Sequence, residues 1–210
     1  MVKTIRLSPE DRKQRILDAI VSLIEKGRIA DLSISEITGE AGVSKALIYK
    51  YYPSIAVMLE DLLEREYVNS LATLTKKLET ASTFPEVLHV LVNQNFDECV
   101  ENPALNTLRN LPALQPKFKQ LVAEEGRLIS VLNRVLKNIY DIDDDTAGQI
   151  MEIGSGASYA AASFYLRNGG NRDQHVEAAI AFIHRGTQAL LKQTKTTPLR
   201  PVRIRVRQHP

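Results

Sequence analysis

A single cysteine, Cys99, is the only thiol in these 210 residues. No disulfide can close within the chain, which excludes a stapled secreted scaffold. Cys99 sits in an apolar run with Val90, Leu91, Phe96 and Val100, the setting of a buried, inert thiol. Long apolar runs are missing too. None approaches the roughly 20 residues that span a bilayer, and Met1–Arg15 is charged with no apolar signal segment. The expected location is therefore cytoplasmic, with no membrane partner. Catalytic and metal-binding signatures are equally scarce. The histidines His89, His175, His184 and His209 lack ligand spacing. The acids Asp141, Asp143, Asp144 and Asp145 lack the glycine and distal glutamate of a calcium loop and read as a charged, helix-capping turn. There is no glycine-rich phosphate loop, nucleophile elbow or internal repeat. We expect no enzyme, no cofactor and no metal.

What is present is helical. Hydrophobic residues make up 44% and charged residues 25%, ordinary values for a chain with a real core. The first helix opens with Ser8-Pro9-Glu10-Asp11, a capping serine, a proline and two acids facing the positive end of the dipole. Ile16, Ile20, Leu23 and Ile24 share one face, and Gly27 is a stop. The same period predicts helices over 55–78, 84–100, 114–139, 144–167 and 172–193. Their punctuation is Thr83-Phe84-Pro85, Asn102-Pro103, Leu111-Pro112, Asp141–Asp145 and Asn168-Gly169-Gly170-Asn171. The fold class is all-α. Beyond Thr194 the character changes: Val202-Arg203-Ile204-Arg205-Val206-Arg207 alternates strictly, as a short strand, a basic arm or a solvated tail would.

Charge is unevenly spread. Residues 1–52 hold nine Lys/Arg against seven Asp/Glu, residues 53–191 twelve against eighteen, and residues 192–210 six against none. An acidic body between basic ends permits nucleic-acid binding at an end. The stretch Ser33–Tyr52 says how. Ser33 followed by Glu36 predicts a capping box, and Ile34, Ile37 and Ala41 form an apolar stripe. Gly42 allows a tight turn, Val43 plugs it, and Ser44 caps a second short helix whose Leu47 and Ile48 face inward. Two short helices joined through glycine make a helix-turn-helix, whose second helix enters the major groove. Lys45, Tyr49, Lys50 and Tyr51 are placed to donate to phosphates, while Ser44, Lys45 and Ala46 lie where base edges would be. Ser33 and Ser35, at the N-terminus of the first motif helix, are candidate phosphate ligands through hydroxyls and free amides.

The run from Ile37 through Ala41-Gly42-Val43-Ser44 to Leu47-Ile48-Tyr49-Lys50-Tyr51-Tyr52-Pro53-Ser54, followed by Val57-Met58-Leu59, resembles the tetracycline-repressor (TetR) family. Arg15-Ile16-Leu17-Asp18-Ala19-Ile20 ahead of Gly27 matches as well, so the resemblance covers about residues 10–65. It implies base-edge roles for Lys45 and Ala46, phosphate contacts for Tyr49 and Tyr51 with Lys50 beside them, and a packing role for Tyr52. One departure is Ile55, which stands where the family usually has a phosphate-directed lysine. That shifts weight toward an N-terminal arm containing Lys3 and Arg6.

The resemblance further implies a larger helical domain that binds a small molecule and dimerises through its last two helices. On their own terms, Ala147, Ile150/Met151, Gly154, Ala157/Ser158 and Ala161 line one side of a helix, with Val176, Ala179/Ile180, Ile183 and Leu190 on the next, and two such helices from each subunit would make a four-helix interface. Polar residues within apolar helices, namely Asn95, Cys99, Arg109, Arg127, Tyr159 and Ser163, are candidate ligand contacts. Arg109 and Arg127 would favour an anion. We therefore expect a three-helix DNA-binding head over residues 1–53, a regulatory and dimerisation domain over 54–193, and a basic tail over 194–210. The function expected is a ligand-responsive regulator, most simply a repressor, that binds a palindromic operator in double-stranded DNA as a homodimer. Its small-molecule effector is unknown. The alternative is a DNA-binding regulator or architectural protein with no small-molecule ligand.

Overall fold

The computed structural model describes residues 8–81, 83–124, 132, 136–137 and 140–193. Among these, the regular elements are α-helices and two short 3-10 turns, the all-α architecture read from the sequence. The helices are α1 (Pro9–Glu25), α2 (Ile34–Ala41), α3 (Lys45–Tyr51), α4 (Ile55–Leu78), α5 (Phe84–Val100), α6 (Pro103–Asn110), α7 (Gln115–Glu124), α8 (Asp144–Asn168) and α9 (Arg172–Gln193). Their ends have local causes. Asp11 N–H donates to Ser8 Oγ (3.0 Å) and Ser8 N–H to Asp11 Oδ2 (3.1 Å), closing a capping box on α1. Thr83 and Glu86 close another on α5.

One helix was not anticipated. Asn102-Pro103 and Leu111-Pro112 read as punctuation, yet α6 lies between them with Pro103 at its first position, where the missing N–H costs no helical bond. The segment anticipated over 114–139 begins as α7, and residues 125–131 lie outside the described residues, as do Lys3, Arg6, Arg127 and the tail from 194.

Packing groups the chain into two compact units that cut across the sequence order. The first holds the residues up to Tyr67 together with Pro103–Lys119; the second holds Val68–Asn102 and the chain from Gln120. In the first unit α1 packs on both α2 and α6. Ile16, Ile20, Ile37, Ile48, Met58, Leu62 and Leu108 are fully buried. Arg65 of α4 ties back to α1, donating to Asp18 Oδ1 (2.7 Å) and Gln14 Oε1 (2.9 Å). Tyr67 meets Phe118 edge-on at 5.9 Å.

In the second unit α5 packs against α8 and α9, which also pack on each other. Phe84, Leu88, Val92, Phe96 and Cys99 form the stripe of α5 that fills this core, meeting Ala147, Ile150 and Ala162 of α8 and Val176, Ala179 and Ile183 of α9. This corrects one expectation. Val176, Ala179 and Ile183 were assigned to a face for a second subunit, as were Ala147, Ile150 and Ser158 of α8, but all six are buried within their own chain. The helical period finds the most apolar face, and that face is taken by packing among α5, α8 and α9.

Candidate nucleic-acid interface

The helix-turn-helix is built as its residues dictate, with one change. Glu36 N–H donates to Ser33 Oγ (3.3 Å), so Ser33 caps α2. The return half of the capping box is replaced: Glu36 Oε2 accepts from the Ser33 hydroxyl (3.2 Å), and its Oε1 accepts from Arg28. A guanidinium outcompetes a backbone amide for the carboxylate. At the turn, Gly42 has φ 62° and ψ 39°, a left-handed conformation, and a Cβ there would stand 3.1 Å from Arg15 Nη2. Backbone and space both select glycine at this position. Leu47 N–H then donates to Ser44 Oγ (3.2 Å), starting α3.

On α3 the side chains divide cleanly. Ile48 is fully buried beneath the helix, while Ser44, Lys45, Ala46, Tyr49 and Lys50 are exposed, Tyr49 by 56% despite its size. Tyr51 is half-buried, with the Lys50 ammonium 5.9 Å from its ring centroid. Ser35 is exposed at the start of α2 and Ser33 is half-buried. Tyr52 is buried and its hydroxyl donates to Asp61 Oδ2 of α4 at 2.6 Å. Burial first, then the bond to Asp61, hold this phenol above its ordinary ionisation range. Sequence reasoning gave Tyr52 a packing role and missed the hydrogen bond; the signal was a hydroxyl at an otherwise aromatic core position. Ile55 is half-buried and offers no charge.

Ion pairs brace the motif from behind. Lys26 Nζ lies 2.6 Å from Glu40 Oε1, which also accepts from the Ser22 hydroxyl (2.7 Å). These contacts, Lys26 foremost, hold the Glu40 carboxyl below the usual carboxylate range. They join α1 to α2 and fix the angle at which α3 is presented.

The candidate ligand residues are distributed unequally. Asn95, Cys99, Tyr159 and Ser163 lie on α5 and α8 of the second unit. Asn95 Nδ2 donates to Ser158 Oγ (2.6 Å) and the Tyr159 hydroxyl to Glu98 Oε2 (2.6 Å). Glu98 also accepts from Ser70 of α4, whose hydroxyl oxygen in turn accepts from Gln94 Nε2 (3.1 Å). Ser70, Gln94 and Glu98 are thus polar partners that periodicity alone did not mark out, and Ser158, read as part of a dimer face, is instead buried against Asn95. Nearby, Lys77 bridges Gln94 and Asp97, and Asp97 accepts from Arg172. Arg109 belongs to the first unit, where it donates to Asn106 Oδ1 (2.9 Å).

Residues 16–62 match the family model described as bacterial regulatory proteins, tetR family. The chain carries a TetR-family DNA-binding head. The match spans α2, the turn and α3 with parts of their flanking helices, so this segment is a tetR-type helix-turn-helix. Among curated relatives, the nucleoid occlusion factor SlmA of Pasteurella multocida is 25% identical over 140 residues, 66% of this chain and 70% of SlmA. Its Haemophilus influenzae counterpart is 24% identical over 131 residues, and the match spans 60% of that protein. A TetR-like regulator from Rhodococcus sp. RHA1 superposes with a TM-score of 0.69 at 20% identity, over 87% of this chain and 99% of that one. LfrR from Mycobacterium smegmatis, solved with proflavine, gives 0.61 at 19% identity over 83% and 96%. These two likenesses establish the TetR fold beyond the head. Among the described residues no helix is long and apolar enough to cross a membrane, and no cluster of His, Cys, Asp or Glu is arranged to hold a metal.

Proposed function

We propose that this TetR-family chain is a ligand-responsive repressor that binds a palindromic operator as a homodimer. The observation that carries the reading is the division of α3, with Ile48 buried and Lys45, Ala46, Tyr49 and Lys50 exposed. Lys45 and Ala46 are assigned to base edges, with the Ser44 hydroxyl beside them. Tyr49, Lys50 and Tyr51 are assigned to phosphates on one side, and Ser33 and Ser35 to phosphates at the start of α2. The capping role of the Ser33 and Ser44 oxygens leaves the α2 and α3 N-termini ordered for such contacts.

A second copy supplies the dimer. α8 and α9 leave Ile153, Phe164, Phe182 and Leu190 exposed, Phe182 by 70%. Between the two helices runs a groove of about 280 Å³, lined by Ile153, Gly154, Ala157, Phe182, Gly186 and Leu190 among others. Apolar side chains around an apolar groove suit a self-complementary contact across a two-fold axis. Two recognition helices then address half-sites about 34–36 Å apart or somewhat more. An effector is assigned to the polar cluster around Asn95, Tyr159 and Ser163 near Cys99, and acts through its preference for the state that does not bind DNA. LfrR with proflavine supports small-molecule binding by this fold.

A specific finding favours a second reading. The curated relatives are named nucleoid occlusion factors, so a DNA-binding role without a small-molecule ligand is the competing account. Selection of genomic fragments by the purified protein tests both. An enriched palindrome bound by dimers, and released by a compound in a subsequent screen, supports the repressor. Specific sites that no compound releases favour the second reading, and sequence-indifferent binding overturns the operator reading.

A further inference from the structure

Three cations of the DNA-binding unit are spent on ion pairs that brace the helix-turn-helix. Lys26 is paired with Glu40, Arg28 with Glu36, and Arg65 with Asp18 and Glu66. All three lock helices of the head to one another. Arg15, Lys45 and Lys50 are exposed and make no ion pair among the described residues. Lys45 and Lys50 lie on the recognition helix; Arg15 lies on α1, outside the helix-turn-helix.

The helix explains why Arg15 is left over. Its natural partners on α1 are the acids one turn away, Asp11 at i−4 and Asp18 at i+3. Asp11 is committed to the capping box with Ser8, which lowers its carboxyl below the ordinary range, and Asp18 is committed to Arg65. The fold then places the unclaimed guanidinium on the helix-turn-helix turn. Arg15 Nη2 lies 3.1 Å from the position a Cβ on Gly42 would occupy, and Gly42 is itself exposed. Two residues later Ser44 caps α3, and Lys45 begins it.

Resting on the DNA-binding reading of the head, we infer that Arg15 is a further DNA contact, its guanidinium taking a backbone phosphate at the groove edge that the N-terminus of α3 enters. The planar fork presents two parallel N–H donors to phosphate oxygens. Being exposed and unpaired, Arg15 has no internal bond to break on binding, unlike Lys26, Arg28 or Arg65. The contact carries no base information. It adds affinity and salt dependence equally on every sequence.

The test is equilibrium binding of the full chain to a short random-sequence duplex, titrated from low to moderate salt. Each neutralised phosphate contributes about 0.9 to the slope of log K against log salt. Arg15→Gln is therefore expected to flatten the slope by about that amount, so that its deficit against wild type shrinks about threefold between 50 and 200 mM salt. Its thermal midpoint should stay at the wild-type value. Arg15→Lys should restore the slope, because the term counts charge. Lys137→Gln, which removes a cation paired with Asp144 in the second unit, should leave the slope at the wild-type value. A wild-type slope in Arg15→Gln, with a flattened one in Lys50→Ala, refutes the Arg15 contact and leaves the head's reading intact. A lowered midpoint with no change in slope makes Arg15 a structural prop of the turn and also refutes it. Absence of salt-dependent binding by wild type overturns the DNA reading and this inference together.

Discussion

Replacing Tyr52 with Phe removes one oxygen from the junction between α3 and α4 and leaves the ring that fills the core. The lost bond runs from a buried hydroxyl to Asp61 Oδ2 at 2.6 Å. Hydrogen bonds to charged groups contribute about 1.5–3 kcal/mol net. Asp61 is only half-buried, so water can replace the phenol as donor and the cost falls toward the lower end. We expect Tyr52→Phe to destabilise the protein by about 1–2 kcal/mol. At about 2–4 °C per kcal/mol for a chain of this size, the midpoint falls by about 2–8 °C. The pH dependence has a definite sign. The phenol ionises less readily folded than unfolded, so its contribution is complete below the ordinary tyrosine value of 10.0 and is lost as pH rises above it toward the folded value. Urea titrations at neutral pH and at about pH 10.5 should therefore show the gap between wild type and variant narrowing in alkali. A variant as stable as wild type at neutral pH refutes the energetic role of the bond. A gap that widens with pH refutes the assignment of Tyr52 as a protonated donor.

Two further substitutions separate the fold of the second unit from its assembly. Phe182 is 70% exposed in the single chain, and burying such a side chain is worth about 1.5–3 kcal/mol, so Phe182→Asp should give monomers in sedimentation. The wild-type midpoint should rise with protein concentration and that of Phe182→Asp should not; a persistent dimer removes this face from the interface. Gly154 behaves differently, because a Cβ there would stand 3.2 Å from Ile183 Cγ2 within the same chain. Gly154→Leu should therefore destabilise each subunit by about 1–3 kcal/mol through overpacking, seen as a lower midpoint at every protein concentration. An unchanged midpoint would show that α8 and α9 yield without cost.

The head was legible because its chemistry is local. A capping residue, its acceptor and the glycine between two short helices lie within a few positions of one another, so Ser33, Gly42 and Ser44 announce α2, the turn and α3 in order. What sequence could not supply is which charges are spent. Glu36 read as half of a capping box until Arg28, eight residues away, claimed its carboxylate. Arg15 has no role of its own in the sequence, and its availability shows only once Asp11 and Asp18 are seen to be engaged elsewhere. Pairing is a tertiary property, and it alone separates the cations that brace the motif from those free to meet phosphate. Packing also brings Pro103–Lys119 together with residues up to Tyr67, a grouping that no local punctuation signals.

The second unit shows the complementary problem. Helical period reports that a face is apolar but not what covers it, and α9 has two such faces. Val176, Ala179 and Ile183 are buried in their own chain, whereas Phe182 and Leu190 are exposed. Ile183 and Phe182 are consecutive, so one step along the helix moves a side chain about 100° and changes its partner. An interface is therefore found by subtraction, once intramolecular packing has taken what it needs. The same logic applies to the polar cluster. Asn95 and Tyr159 stood out as polar residues in apolar surroundings, but the unit of recognition is the set they join with Ser70, Gln94, Glu98 and Ser158. A buried carboxylate such as Glu98 is tolerable only because hydroxyls from α4 and α8 converge on it. Those hydroxyls lie 28 and 61 residues from Glu98 in sequence, distances no periodicity spans.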